Sequence, residues 1–89
     1  MIEAPDIVIY TTRYCPYCVR AKALLDSKQL PYQEVSVDGA PEERAEMTRR
    51  AQGSRTVPQI WINDTHIGGC DELYQMERQQ KLDDLTRRK

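Results

Sequence analysis

Residues 10–20 read YTTRYCPYCVR, and they put two cysteines between a predicted strand and a predicted helix. The apolar, β-branched run at residues 7–10 is typical of a buried strand. Residues 19–25 contain several apolar side chains and no glycine or proline, which predicts a helix with one apolar face. Pro16 suits the first helical turn, because its missing N–H would find no intrahelical partner there. The cysteine pair is therefore expected at the N-terminus of a helix.

Cys15 is predicted to be the nucleophile of this pair. A helix start exposes unpaired N–H groups and carries a partial positive charge, and Arg13 adds a full positive charge nearby. Such surroundings lower the pKa of a cysteine from about 8.5 into a range of about 3.5–7.5, which favours the reactive thiolate. Cys18 shares a helix face with Cys15 and can close a disulfide onto it. Because Cys18 lies one turn deeper, where the helix field is weaker, we expect it to be the partner that attacks back.

Size, charge and cysteine count exclude several classes of function. The chain has 89 residues, enough for one small domain (residues 1–89), and its formal net charge of −1 gives no support for nucleic-acid binding. No apolar run approaches the roughly 20 residues that span a bilayer, and residues 1–5 do not resemble the start of a secretion signal. The three cysteines, an odd number, favour a working pair in a reducing compartment. We therefore expect a cytoplasmic monomer without membrane or nucleic-acid partners.

The rest of the chain predicts three more strands and further helices. The predicted strands are residues 32–37, 57–62 and 65–67, and the predicted helices are residues 41–51, residues 70–76 and a short amphipathic tail around Leu82 and Leu85. A helix between the first two strands implies a right-handed parallel crossover, and a turn at residues 63–64 implies an antiparallel hairpin. The order β-α-β-α-β-β-α predicts an α/β fold, a mixed four-stranded sheet covered by three or more helices. Three aromatic residues are expected to pack against the sheet: Tyr10, Tyr32 and Trp61.

Three short motifs occur along the chain: C-P-Y-C at residues 15–18, T-V-P at 56–58 and G-G-C-D at 68–71. A C-x-x-C near a βαβ pattern already indicates a thioredoxin-like redox motif. With all three motifs at these separations, the chain resembles the dithiol glutaredoxins over nearly its whole length, and most of all their small bacterial type. The resemblance implies a thioredoxin-like fold and a glutathione-dependent thiol–disulfide oxidoreductase with no tightly bound cofactor. Glutathione would be the co-substrate, and the partners would be disulfide-containing or glutathionylated proteins, with ribonucleotide reductase as one candidate.

The resemblance also implies residue roles. Cys15 would attack the glutathione-side sulfur of a mixed disulfide or one sulfur of a protein disulfide, and Cys18 would resolve the latter. Val57 would pair its backbone with the cysteinyl residue of glutathione, next to a cis Pro58. The helix that begins at Cys70 would offer N–H groups to the γ-glutamyl carboxylate. The implied glutathione-binding residues are Arg13, Tyr17, Thr56, Val57, Pro58, Gly69, Cys70 and Asp71.

Two details of this site depend on single charged side chains. Asp71 would face the α-amino group of the γ-glutamyl residue. Members of the family often carry a lysine three residues before the first cysteine, whereas Thr12 occupies that position here. The basic partner of the glycyl carboxylate is therefore left open among Arg13, Arg50 and Arg55.

Other interpretations are compatible with the sequence. Cys15, Cys18, His66 and Cys70 could supply a four-ligand zinc set, although the chain has no second C-x-x-C. A module that holds an iron–sulfur cluster between two chains is a further alternative, but relatives of that kind usually have a single active-site cysteine. A hydrogen donor recharged by thioredoxin reductase is the third. Cys70 itself is expected to be structural, and His66 to be a hairpin residue and not a base.

Overall fold

The computed structural model describes residues 6–86, and its elements follow the predicted order. They are β1 (Ile7–Thr11), α1 (Pro16–Ser27), β2 (Gln33–Ser36), α2 (Pro41–Arg50), β3 (Gln59–Ile62), β4 (Thr65–Gly68), α3 (Cys70–Arg78) and α4 (Lys81–Thr86). The predicted amphipathic tail is α4. Among residues 6–86, no helix combines the length and apolar character that crossing a membrane requires. The expectation for residues 1–5 lies outside the described residues, and the assignment of residues 1–89 to a single domain stays a prediction.

The four strands form one mixed sheet in the order β2-β1-β3-β4. β1 pairs in parallel with β2, with Ile9 opposite Glu34, and antiparallel with β3, with Ile9 opposite Ile60. β3 and β4 form the predicted antiparallel hairpin. The predicted α/β fold with a mixed four-stranded sheet is therefore confirmed. As a central strand, β1 delivers the chain from the middle of the sheet to Cys15.

Two strands are shorter than the sequence predicted. β3 begins at Gln59, so the prediction of a strand over residues 57–62 is wrong at Val57 and Pro58. Pro58 has no N–H to donate to a sheet ladder. β2 covers only Gln33–Ser36, and it is an edge strand whose side chains are mostly exposed. An apolar residue that packs on the core from a loop resembles a strand residue in the sequence, so both strands were predicted to start too early.

Alternation of side chains along β1 and β3 divides the core between the two faces of the sheet. The larger cluster lies towards α1, α3 and α4 and consists of Ile7, Ile9, Ala21, Leu24, Leu25, Ile60, Ile62, Cys70, Leu73 and Leu82. The smaller cluster lies towards α2 and consists of Tyr10, Val37, Met47, Ala51 and Trp61. Tyr10 and Trp61 are buried and Tyr32 packs partly buried against the larger cluster, so all three aromatic residues pack as predicted.

Candidate active site

Cys15 and Cys18 lie at the N-terminus of α1, as the sequence predicts. Cys15 is the capping residue and Pro16 begins the helix. The two cysteines form a disulfide, with Cα atoms 5.2 Å apart, and the N–H of Cys18 donates to Cys15 Sγ over 3.0 Å. Once the disulfide is reduced, a backbone N–H aimed at this sulfur stabilises a negative charge on it.

The two sulfurs differ in their access to solvent. Cys15 is 9% exposed, whereas Cys18 is 1% exposed. Tyr14 and Tyr17, on either side of the Cys15–Pro16 pair, are both exposed large side chains. An incoming disulfide can therefore approach Cys15 more readily than Cys18.

Val57 brings a second chain segment to Cys15. The carbonyl oxygen of Val57 lies 3.8 Å from Cys15 Sγ. The peptide bond between Val57 and Pro58 is cis, as the family resemblance implied. The loop between α2 and β3 thus ends directly beside the more accessible sulfur.

A surface groove, which we call the Val57 groove, extends from this point to the start of α3. It is lined by Tyr17, Thr56, Val57, Pro58, Gly69, Cys70, Asp71 and Glu72. Seven of the eight residues nominated for glutathione line it together, and Arg13 does not. Arg13 lines a separate depression with Tyr14 and Asp38, and its backbone N–H donates to the Asp38 carboxylate.

Glu72 is the one residue lining the Val57 groove that the sequence motifs did not predict. It lies in the first turn of α3, and its Oε1 accepts the N–H of Gly69 over 2.6 Å, which caps the helix. A Cβ at Gly69 would lie 3.2 Å from this Oε1 and 3.2 Å from the Pro58 carbonyl oxygen. The backbone of Gly69 is therefore packed closely against Glu72 and Pro58. A glutamate three residues after the capping position is a recognised sign of a helix start, and G-x-x-E at residues 69–72 could have identified it.

The other two basic candidates also lie outside the lining of the Val57 groove. The guanidinium of Arg50 lies over Trp61, with Cζ 4.6 Å from the ring centroid, and its Nη1 donates to Tyr10 Oη over 3.3 Å. Arg55 lines a different depression beside α2. Arg55 is, however, the chain neighbour of Thr56, which does line the Val57 groove.

Cys70 begins α3 with a buried thiol. Burial raises the pKa of this thiol above its usual value; the carboxylates of Asp71 and Glu72 also raise it, and the charge of Arg20 opposes them. The thiol is therefore held in its neutral form near neutral pH. Cys70 contributes to the wall of the groove, and its structural role stays a prediction.

The four residues of the zinc alternative are not brought together. Among residues 6–86, no three His, Cys, Asp or Glu side chains form a group that could hold a metal ion. His66 is on β4, where its Nε2 lies 2.7 Å from Gln59 Oε1. The cysteine pair and His66 thus belong to different parts of the molecule.

Comparisons with known proteins agree with this geometry. The family profile for glutaredoxin matches residues 7–67. The chain is 60% identical to a glutaredoxin of Pseudomonas aeruginosa over 81 residues, covering 91% of this chain and 95% of that protein. It is 50% identical to glutaredoxin 3 of Escherichia coli K12 over 82 residues, covering 92% and 98%.

Solved structures give the same result. The solution structure of Brucella melitensis glutaredoxin matches with a TM-score of 0.82 and 49% identity, over 93% of this chain and 89% of that one. The crystal structure of a buckwheat glutaredoxin–glutathione complex matches with a TM-score of 0.82 and 34% identity, over 92% and 76%. These structures confirm the thioredoxin-like fold. The chain therefore belongs to the glutaredoxin family and is a glutathione-dependent thiol–disulfide oxidoreductase whose redox pair is Cys15 and Cys18.

Proposed function

We propose that Cys15 is the nucleophile of this oxidoreductase and that Cys18 is its resolving cysteine. The asymmetry of the pair carries the proposal. Cys15 caps α1, accepts the N–H of Cys18 over 3.0 Å and is the more exposed sulfur. Cys18 is only 1% exposed, so it can react with a substrate disulfide only after Cys15 has formed a mixed disulfide with that substrate.

The chemistry proceeds by thiol–disulfide exchange. With a glutathione mixed disulfide, the Cys15 thiolate attacks the glutathione sulfur, and the other sulfur leaves as a thiolate that takes a proton from water. A glutathione thiolate then attacks the glutathione sulfur bound to Cys15, which releases glutathione disulfide and restores the Cys15 thiolate. With a protein disulfide, the Cys15 thiolate attacks one protein sulfur, and the other protein sulfur leaves as a thiolate that takes a proton from water. Cys18 then loses its proton to water and attacks Cys15 Sγ, which breaks the bond between Cys15 and the protein sulfur. This second step releases the reduced protein and leaves the Cys15–Cys18 disulfide, which two glutathione molecules reduce.

The Val57 groove is the proposed glutathione site, since Val57, one of its lining residues, places its carbonyl oxygen 3.8 Å from Cys15 Sγ. The backbone of Val57 would pair with the cysteinyl residue in the manner of an added strand, and Tyr17 would pack beside the tripeptide. The N–H groups at the start of α3 would receive the γ-glutamyl carboxylate, and Asp71 would face the α-amino group. The buckwheat relative, solved as a complex with glutathione, supports this use of the groove.

Arg55 is our preferred partner for the glycyl carboxylate. It directly precedes Thr56, a residue of the groove wall. Arg50 is already engaged with Trp61 and Tyr10. Arg13 lines a depression that does not include the groove residues.

The proposed clients are disulfide-containing and glutathionylated proteins in the cytoplasm, on which the protein acts as a monomer. A buried thiol at Cys70, outside the redox pair, suits a reducing compartment. Ribonucleotide reductase is one candidate client. Glutathione-coupled reduction of its oxidised form by this protein tests that candidate directly.

The assignment of the two cysteines is tested with a glutathionylated peptide in an assay coupled to glutathione reductase. Cys15→Ser should abolish turnover. Cys18→Ser should retain it, because the route through a glutathione mixed disulfide uses one cysteine. With a protein disulfide as substrate, both variants should lose activity. Turnover of the glutathionylated peptide that survives in Cys15→Ser would overturn the proposal.

A further inference from the structure

Gln59 is a buried polar residue whose amide is fully engaged. It is the first residue of β3, directly after Pro58, and it is 3% exposed. Its Nε2 donates to Ser54 Oγ over 2.9 Å and to Thr56 Oγ1 over 3.1 Å. Its Oε1 lies 2.7 Å from His66 Nε2. A buried amide with partners on both sides is held in one orientation, because rotation would cost these hydrogen bonds.

The strand pairing explains why these side chains meet. Gln59 and Trp61 are two residues apart on β3, so their side chains point to the same face of the sheet. His66 is the β4 partner of Trp61. Its ring stacks on the buried indole, with centroids 4.7 Å apart and an interplanar angle of 27°. The stack fixes the position of the imidazole, and in this orientation of the amide, His66 Nε2 is the donor to Gln59.

The two hydroxyls at the other end of the amide belong to the loop between α2 and β3. Ser54 Oγ and Thr56 Oγ1 lie 3.3 Å apart and share a hydrogen bond. Thr56 lines the Val57 groove, and the next residue places its carbonyl oxygen 3.8 Å from Cys15 Sγ. Residues 54–58 of this loop form no strand and therefore make no sheet ladder. The conformation of the loop thus depends more on side-chain hydrogen bonds.

We propose that Gln59 and His66 are positioning residues of the Val57 groove, an inference that rests on the proposed binding of glutathione there. His66, stacked on Trp61, orients the Gln59 amide, and the amide holds the Thr56 hydroxyl. The Thr56–Val57 backbone is thereby kept in place to pair with glutathione. Neither residue touches the reacting sulfurs, so their loss weakens glutathione binding and leaves the reactivity of Cys15 unchanged.

His66→Phe is the sharpest test, because phenylalanine can keep the ring stack on Trp61 and cannot donate to Gln59. We expect the KM for a glutathionylated peptide to rise about 2- to 10-fold, the effect of one lost hydrogen bond, with kcat within about twofold of wild type. Single-turnover reduction of a glutathione-free aromatic disulfide by the pre-reduced protein should be unchanged. Thr65→Val, which removes a polar group from the same exposed strand, is the matched control and should leave KM unchanged.

Substitutions at Gln59, and a measurement made without glutathione, distinguish a positioning role from a general loss of folding. Gln59→Leu should raise KM more than His66→Phe does, and Gln59→Glu, which can accept from His66 and from both hydroxyls, should recover most of the loss. In the free reduced protein, backbone amide order parameters at Thr56 and Val57 should fall in His66→Phe. Unchanged KM and unchanged order parameters in His66→Phe would overturn the inference. An equal loss of kcat and kcat/KM with the glutathionylated peptide, together with the same loss of rate in the single-turnover assay, would also overturn it. Because the order parameters are measured without glutathione, they test the inference even if the proposed glutathione site fails.

Discussion

The sulfur of Cys15 lies between a backbone donor and a backbone acceptor. The N–H of Cys18 is 3.0 Å away and the carbonyl oxygen of Val57 is 3.8 Å away. In the reduced protein the first contact favours a thiolate and the second favours a neutral thiol. The donor is the closer of the two, and the N-terminus of α1 adds a favourable field. The balance therefore favours the thiolate.

The first prediction concerns alkylation of the reduced protein. In the Cys18→Ser variant, the iodoacetamide rate at Cys15 should rise with pH around a midpoint well below about 8.5, the value of an unperturbed thiol. Cys70 is the internal comparison, since burial raises the pKa of its thiol and limits access, and it should react only after unfolding. Mass spectrometry of the alkylated peptides distinguishes the two sites. A midpoint at Cys15 near that of a free thiol would contradict the assignment of the nucleophile.

The second prediction concerns the glycyl carboxylate. Arg55→Gln should raise the KM for a glutathionylated peptide about 3- to 10-fold with little change in kcat, because it removes a charge-assisted hydrogen bond made in ground and transition state alike. Arg49→Gln is a matched control, as Arg49 lines the same depression and pairs with Glu46. Equal KM values for the two variants would remove Arg55 from the glutathione site.

Among the secondary-structure elements, β4 and α3 meet in a tight junction beside the groove. Gly68 has φ +116°, and a Cβ there would lie 2.9 Å from Glu72 Cγ. Gly53 has a similar φ of +102°, but a Cβ there would meet nothing within 4 Å. Both glycines adopt a positive φ, but only at Gly68 would an added Cβ meet a neighbouring side chain.

The third prediction uses this pair. Gly53→Ala should lower the free energy of unfolding by about 1 kcal/mol, the cost of a positive φ for alanine. Gly68→Ala should lower it by at least about 1 kcal/mol more, because Glu72 must also move and its bond to Gly69 is disturbed. Urea denaturation of both variants measures the difference. Equal losses would show that the contact with Glu72 carries no energy.

Elements differed in how far the sequence could predict them. Pro16 and the C-x-x-C spacing fixed the start of α1, because helix capping depends on local residues. The pairing of β3 with β4 has a register irregularity between Ile60 and Trp61, which no local pattern reveals. The contact of His66 with Gln59 depends on that register, so the sequence predicts a hairpin position for His66 but not its partner.

Over the whole molecule, the site is assembled from residues 15–18, 56–58 and 69–72, which are distant in sequence. The family resemblance carried by their three motifs implied seven of the residues that line the groove. The basic residues could not be ranked in the same way. The direction of a long, exposed arginine depends on which elements lie next to it, and therefore on the assembled fold.

The pH dependence of the free energy of unfolding is also a property of the whole molecule. The last prediction concerns the contribution of Glu34 to it. On edge strand β2, its carboxylate accepts from Thr11 Oγ1 over 2.7 Å and from Lys22 Nζ over 3.0 Å, which joins β2 to β1 and α1. These bonds, that of Thr11 first, lower the pKa of Glu34 below its model-compound value of 4.5. A lowered pKa means that the stabilisation is complete above pH 4.5 and is lost as the pH falls through the folded-state pKa.

Glu34→Gln should therefore lower the free energy of unfolding at pH 7 by up to about 1 kcal/mol, a small value because the side chain is partly exposed to solvent. The difference from wild type should vanish in acid, and urea denaturation from pH 7 to pH 3 measures it. In a Lys22→Gln background the same substitution should cost less, because one of the two partners is already gone. A difference that is independent of pH would show that the charge of Glu34 does not tie the edge strand to the rest of the protein.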